Sequence, residues 1–294
     1  MSRERILITG ASGAIGTLLR SELRRPDREL VLLDVVAPAE PVAPGEAAEV
    51  VVASVEDLDA LLAAARGASA IVHLANLIED NAWADYARVN ITGTYNVLEA
   101  ALDTAATLER IVDFSTSEVF GTHAYNVSEG QVSTIGSVGE ARWTYAVSKL
   151  AGEHMAHAYH DELHLPTVTV HPFNVFGPGQ IGGGAIRAFI EAALAGRDLT
   201  IHGDGSQIRA WCYVDDMVRA VLLCLERDEA VGQSFNIGND RSVVTILELA
   251  ERVKRLTGSS GEIVFKQLHY ADVEIRSPNV AQARELLGFE AEVD

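Results

Sequence analysis

The chain has 294 residues and a mass of 31.6 kDa, with 48% apolar and 22% charged side chains, ordinary globular values that argue against long disorder. Its 23 basic against 42 acidic residues give a net charge of −19, which sets long-range repulsion against a nucleic-acid partner but leaves small anions free to bind in a local pocket. Cys212 and Cys224 are too few for a disulfide scaffold or a zinc ribbon; with no secretory leader and no apolar run near the ~20 residues that span a membrane, the reading is a soluble, cytoplasmic protein without a membrane partner.

Predicted strands in the first two-thirds cover 5–9, 30–34, 50–53, 70–74, 110–115 and 167–171. Helical patterns over 15–24, 55–65, 84–104 and 143–163 lie between them. These strands are solidly apolar rather than alternating, as expected when helices cover both faces of a parallel sheet. Repeated β-α-β therefore reads as an α/β fold, a Rossmann-type doubly wound sheet. After Pro172 the texture changes. The glycine-rich stretch 177–184 precedes a helix to about 195, a strand at 199–202, a Gly-Asp-Gly turn at 203–205 and a helix at 214–225. A strand at 234–237, a helix at 244–256, a strand near 263 and a helix at 281–288 complete the chain. That last helix ends abruptly, as in a truncated chain. The expected organisation is a first domain over 1–172, partly interwoven with later segments, and a smaller α/β lobe over 173–294.

Residues 5–16 run Arg-Ile-Leu-Ile-Thr-Gly10-Ala-Ser12-Gly13-Ala14-Ile15-Gly16, three glycines between the first strand and the first helix. The first permits a tight turn, the second lets backbone amides approach a pyrophosphate, and the third lets helix pack on strand. The helix N-terminus adds N–H groups and positive dipole. Asp34 ends the second strand, where a carboxylate accepts hydrogen bonds from a ribose diol and repels a 2′-phosphate; this points to NAD over NADP.

Tyr145 and Lys149 stand four apart at the start of a helical run and so share one face. A lysine beside a tyrosine, with a positive nicotinamide near, lowers the phenol pKa and makes a general base. Ser115-Thr116-Ser117-Glu118 leaves the fifth strand at the edge where ligands bind in such sheets. A hydroxyl there can orient a substrate alcohol toward Tyr145, and Glu118 can handle a second proton.

With His73-Leu74-Ala75-Asn76, Asn90-x-x-Gly-Thr94, Pro172-Phe-Asn174-Val-Phe-Gly-Pro178, Gly203-Asp-Gly-Ser-Gln-Ile-Arg209 and Tyr213-Val-Asp-Asp216, these motifs fall in the order of the extended short-chain dehydrogenase/reductase family. The chain resembles the NAD-dependent nucleotide-sugar epimerases, dehydratases and decarboxylases of that family over essentially its whole length. The resemblance implies Thr116, Ser117, Glu118, Tyr145 and Lys149 as catalytic residues. It implies NAD contacts from Gly10, Ser12, Gly13, Ala14, Ile15, Gly16, Asp34, Leu74, Ala75, Asn76, Asn90, Tyr145, Lys149 and Pro172. Asn174, Arg187, Arg209 and Arg276 would hold a nucleotide-diphosphate sugar, and a homodimer is expected. The implied chemistry begins with Tyr145 taking the sugar 4-OH proton while C4 gives up hydride.

The step after that oxidation defines the subfamily. Thr116-Ser117-Glu118, Glu140-Ala-Arg142-Trp-Thr-Tyr145 and Tyr270-Ala-Asp-Val-Glu-Ile-Arg276 are similar to UDP-glucuronate decarboxylases. A guanidinium at 276 suits carboxylate or phosphate recognition. A UDP-sugar 4-epimerase is the next reading, then a 4,6-dehydratase; a non-catalytic NAD-sensing regulator or a simple alcohol dehydrogenase are readings from other classes. Three positions depart from the family pattern: Asn76, Ser54 (where an adenine-contacting Asp is usual) and His171, expected near the sugar. His154, His157, His160 and His164 lack a metal-ligand framework, so no metal is expected. Asp215 and Asp216 read as helix capping, and Glu79-Asp80 as a solvated loop.

Overall fold

Apolar strands of this kind must be covered on both faces, and in the computed structural model, which describes residues 4–78, 82–180, 182–267 and 272–294, they are. The chain opens with β1 (Glu4–Thr9), α1 (Ala14–Leu23), β2 (Arg28–Asp34), β3 (Ala48–Val52), α2 (Leu58–Ala65) and β4 (Ala70–His73). It continues through α3 (Trp83–Tyr86), α4 (Gly93–Asp103), β5 (Arg110–Phe114), β6 (His123–Val127), α5 (Thr144–Leu163) and β7 (Thr167–Pro172). Next come β8 (Val175–Phe176), α6 (Ala185–Leu194), β9 (Leu199–His202), β10 (Ile208–Ala210), β11 (Cys212–Tyr213) and α7 (Val214–Glu226). The last elements are β12 (Ser234–Ile237), β13 (Val243–Thr245), α8 (Ile246–Thr257), β14 (Ile263–Lys266) and β15 (Ile275–Pro278).

Seven strands pair in the order β12-β7-β5-β4-β1-β2-β3, all in parallel. The order reverses between β1 and β4, which opens a crevice at the strands' carboxyl ends. One face packs Leu19 and Leu23 of α1 and Met217, Val221 and Cys224 of α7 on Ile8, Val72 and Val112. The other packs α2, α4 and α5 through Leu61, Val97 and Ala156 on Leu7, Ile71 and Ile111. A second sheet, β13-β10-β15-β6, and the pairs β14-β9 and β11-β8 form the smaller lobe. Phe189 of α6 and Leu249 and Val253 of α8 pack there on Ile201 and Trp211. The boundary expected at 172 is crossed both ways. β12 and α7 return to the large sheet and its face, and β6 leaves to join the second one.

The helix expected over 84–104 is helical from 83 but widens into a π-turn stretch at Ala87–Thr92, which turns Asn90 inward, and α4 carries it on to Asp103. That over 55–65 starts only at Leu58, because the Asp57 carboxylate accepts from Ala60 N at 3.0 Å and caps it. Thr245 and Glu248 close a capping box on α8. The 281–288 helix resolves into a π turn at Ala283–Leu287 ending at Gly288 in the left-handed region. Beyond it Phe289 is buried, and Asp216 accepts from the amides of Glu292 and Val293 at 2.9 and 3.0 Å. Asp216 thus sits in the first turn of α7 but anchors the terminal segment. Among the described residues no helix is long and apolar enough to cross a membrane, and no cluster of metal-ligating side chains forms. Glu79, Asp80, Tyr270 and Ala271 lie outside the described residues.

The loop after Asp34 is pinned by one buried ion pair. Arg20 Nε and Nη2 each reach Glu46 at 2.8 Å, and the same guanidinium donates to the carbonyls of Glu40 and Pro41. Hydrogen bonding from Arg20 holds the Glu46 carboxyl down from an ordinary 4.5 to about 2. Glu46→Ala, which leaves Arg20 buried and unpaired, should cost about 3 kcal/mol in urea unfolding. Since this carboxyl is depressed, the stability gap to wild type should be full above its ordinary value and shrink as the pH falls toward 2.

Candidate active site

A cleft of about 1250 Å³ runs along the carboxyl edge of the large sheet and under the second lobe. Its first half is built on the β1–α1 turn. Gly10 has φ +71°, and a Cβ there would stand 2.6 Å from Ala75 N; one on Gly16 would stand 2.5 Å from Gly10 O. Only glycine lets the turn close that tightly. No side chain caps α1, so the amides at its start face the cleft beside Gly13, Ala14, Ile15 and Gly16. Asp34 lines the same end, its Oδ2 accepting from Ser12 N at 2.9 Å. Ser12 itself does not line the cleft. Its hydroxyl donates to Val36 O at 2.8 Å and braces the loop from behind.

Leu74, Ala75, Asn76 and Pro172 line the middle. Asn76 Nδ2 donates to Leu74 O, and its buried Oδ1 has no partner among the described residues. Ser54 also lines the cleft, its hydroxyl accepting from Glu56 N at 3.1 Å. Asn90 is placed differently from the expected cofactor contact. Fully buried on the π turn, its amide group exchanges bonds with the backbone of Leu77 and donates to Ser148 Oγ at 3.0 Å. It ties the loop after β4 to α5.

In the second half, Tyr145 stands in the first turn of α5, and Thr116, Ser117 and Glu118 lead into the short turn after β5. Thr116 Oγ1 accepts from Glu118 N at 3.2 Å. Burial pushes the Tyr145 phenol up, the Glu118 charge adds to that, and hydrogen bonding with Thr116 and the Arg276 charge pull the other way. Lys149, one turn further along α5, is buried, with Asp113 and Glu153 as the charges that favour its ammonium. His171, expected near the sugar, is also behind the cleft, its Nε2 at 2.9 Å from Glu153 Oε1.

The floor beside Tyr145 is cationic. Pairing of β10 with β15 sets Arg209 directly opposite Arg276. Arg276 Nη1 donates to Glu118 at 3.1 Å, Arg142 lies 3.6 Å from Glu118 and 3.7 Å from Asp272, and Arg209 lies 3.5 Å from Asp272. Three guanidiniums thus face two carboxylates. Arg276 Nε and Nη2 and Arg142 Nε are buried without a partner among the described residues. Burial, then repulsion from Arg276, lowers Arg209 to about 10. Such a floor is made to receive an anion. Asn174 lines it with φ +40° and donates to Ala210 O at 2.7 Å. Arg187, expected on the substrate, is turned away. It bonds Gln180 O at 2.6 Å and Glu191 at 2.7 Å, and Arg197 lines the cleft instead.

Residues 6–238 match the family described as NAD dependent epimerase/dehydratase. The chain belongs to that family. A UDP-N-acetyl-alpha-D-glucosaminuronate decarboxylase of Bacillus cytotoxicus is 29% identical over 99% of this chain and 94% of its own length. UDP-glucuronic acid decarboxylase 1 of Xenopus tropicalis is 31% identical over 98% of this chain and 68% of its own. A solved structure of the UDP-glucuronic acid 4-epimerase from Bacillus cereus, with UDP-glucuronic acid and NAD, superposes with a TM-score of 0.86 at 28% identity, covering 99% of this chain and 95% of that one.

The protein is thus an NAD-dependent enzyme of a family of nucleotide-sugar decarboxylases and epimerases. The residues present suit the cofactor: a glycine cradle that a Cβ would fill, uncapped amides at α1, the Asp34 carboxylate and the orphaned Asn76 acceptor. Motif reading gives no role to Arg142, whose convergence with Arg276 on Glu118 depends on folding. Of the histidines at this spacing, His157 bonds Ser234 Oγ, His160 bonds Leu165 O, and His164 takes the left-handed C-cap. Burial pushes both cysteine thiols up to about 12. Asp34→Ala should weaken NAD binding about tenfold or more, the worth of a charged hydrogen bond, measured by fluorescence titration with NADH.

Proposed function

We propose that the protein decarboxylates UDP-glucuronate through a 4-keto intermediate. The observation that carries this reading is the Arg276–Glu118–Arg142 cluster, with unused guanidinium donors, set beside Tyr145 and Thr116. A UDP-uronate presents two anions, a diphosphate and a sugar carboxylate. The names of the relatives, two uronate decarboxylases and a uronate epimerase, support the same substrate class.

Bound NAD supplies the hydride acceptor for C4 and, at the end, its donor. Tyr145 as phenolate takes the 4-OH proton, with the Thr116 hydroxyl orienting that oxygen. The carbonyl formed at C4 makes the sugar a β-keto acid. Its C5–C6 bond then breaks, CO2 leaves, and the electron pair moves into the C4 enolate. Arg276 and Arg142 hold the carboxylate before it leaves, and Glu118, after taking a proton from solvent, passes it to C5. The Tyr145 phenol returns its proton to the C4 oxygen, so a UDP-pentose results and no net oxidation occurs.

Incubation with UDP-glucuronate and NAD, followed by mass spectrometry and NMR, tests the assignment. Loss of the mass of CO2 is expected. A product of unchanged mass with inverted C4 couplings would replace decarboxylation by 4-epimerisation, and no reaction would overturn the substrate. Tyr145→Phe should lower kcat by about 10²–10⁴-fold. Arg276→Ala should raise KM for UDP-glucuronate while leaving NAD affinity unchanged.

A further inference from the structure

The sheet face under α4 and α5 is apolar in its interior but polar along its carboxyl edge. Register places Thr9 beside His73, His73 beside Asp113 and Asp113 beside Thr169, all on one face, with Ser115 and His171 two residues further along β5 and β7. Into this buried strip α5 lowers Lys149 and Glu153, one and two turns below Tyr145. Most of its members are bonded. Thr9 Oγ1 and Thr94 Oγ1 hold the two nitrogens of His73 at 2.7 and 3.1 Å. Ser115 Oγ and His171 Nε2 hold the two oxygens of Glu153 at 3.0 and 2.9 Å.

Asp113 has no such bond. It is 2% exposed, and neither carboxylate oxygen has a hydrogen-bond partner among the described residues. A carboxylate so placed is costly unless a charge answers it. The groups facing Lys149 are Asp113 from β5, Glu153 from its own helix and His73 from β4; His171 and His157 lie beyond, toward Asp113 and Glu153. Glu129 lies near His171 and is engaged by Asn236 N. Lys149 forms no direct ion pair among the described residues; with Glu153 held by Ser115 and His171, Asp113 is the buried carboxylate of this strip that lacks a hydrogen bond.

We propose that Asp113 is a positioning residue: it is the buried counter-ion that keeps Lys149 charged and in place under the start of α5. The proposal rests on Tyr145 and Lys149 acting as a pair in the reaction. Burial pushes Lys149 down and Asp113 up, and each charge opposes that shift in the other. Removing the Asp113 charge therefore makes Lys149 more acidic.

The chain's lysines are Lys149, Lys254 and Lys266, so protein labelled with 13C at lysine Cε gives a separate titration for each. In Asp113→Asn the Lys149 midpoint should fall by about one pH unit or more, with Lys254 and Lys266 unmoved. Below the Lys149 midpoint its melting temperature should fall, because the buried ammonium loses its counter-ion, and the alkaline limb of the kcat profile should move with the Lys149 midpoint while KM stays. Asp113→Thr, which copies neighbouring Thr169, should behave alike. An unmoved Lys149 midpoint in a folded variant would overturn the proposal, and so would failure of both variants to fold, which marks a structural role. Wild type inactive on UDP-glucuronate would sink the substrate reading alone, since the lysine titration needs no substrate.

Discussion

Burial of the Lys149 ammonium is the constraint to which much of this site is fitted. An isolated charge in a protein interior is prohibitively costly, so the surrounding face of the sheet cannot be hydrocarbon. It carries Thr9, His73, Asp113, Ser115, Thr169 and His171 where the opposite face carries Ile8, Val72, Val112, Phe114, Val168 and Val170. Burial and the Lys149 charge hold His73 down to about 3, so it is neutral and serves as a bonded spacer between β1 and α4. The π turn belongs to the same arrangement. By bringing Asn90 inward it fastens Ser148, next to Lys149, to the loop after β4.

The distribution of charge across the molecule follows a second rule. A net −19 covers the exterior, yet Arg20, Arg110, Arg209 and Arg276 are all buried. Two anionic ligands can therefore be held without any basic surface, one diphosphate by backbone amides at α1 and the other anion by Arg209, Arg276 and Arg142. The net charge disfavours a polyanion at long range, and the internal guanidiniums act only on what has already entered the cleft.

Local spacing made part of this legible. The glycine turn, Asp34 and the Tyr145–Lys149 pair each depend on a few consecutive residues, and the first six strands of the large sheet are long and apolar enough to be read directly. β6, β10 and β15 were not readable, because they pair across distant segments; Asn126 N meets Ser277 Oγ across 151 positions. Roles that turn on side-chain direction failed for the same reason. Arg187 is expected on the substrate and Asn90 stands in a family motif, but α6 aims one at Glu191 and the π turn aims the other at Leu77. Helical spacing alone suggests that Lys149 acts on Tyr145, and spacing does not report that Asp113 and Glu153 lie beneath the helix.

The register of β10 against β15 bears on the proposed substrate. Like charges set directly opposite on paired strands destabilise a sheet, and Arg209 and Arg276 are so placed. Asp272 and Glu118 answer them only in part, since Arg142 draws on both carboxylates as well. An added anion can relieve this repulsion, because Arg276 Nε and Nη2 are buried without a partner among the described residues. A ligand carboxylate there gains from the repulsion stored in the free protein. A neutral hexose would leave that repulsion in place, which is why the proposed function assigns the cleft a uronate.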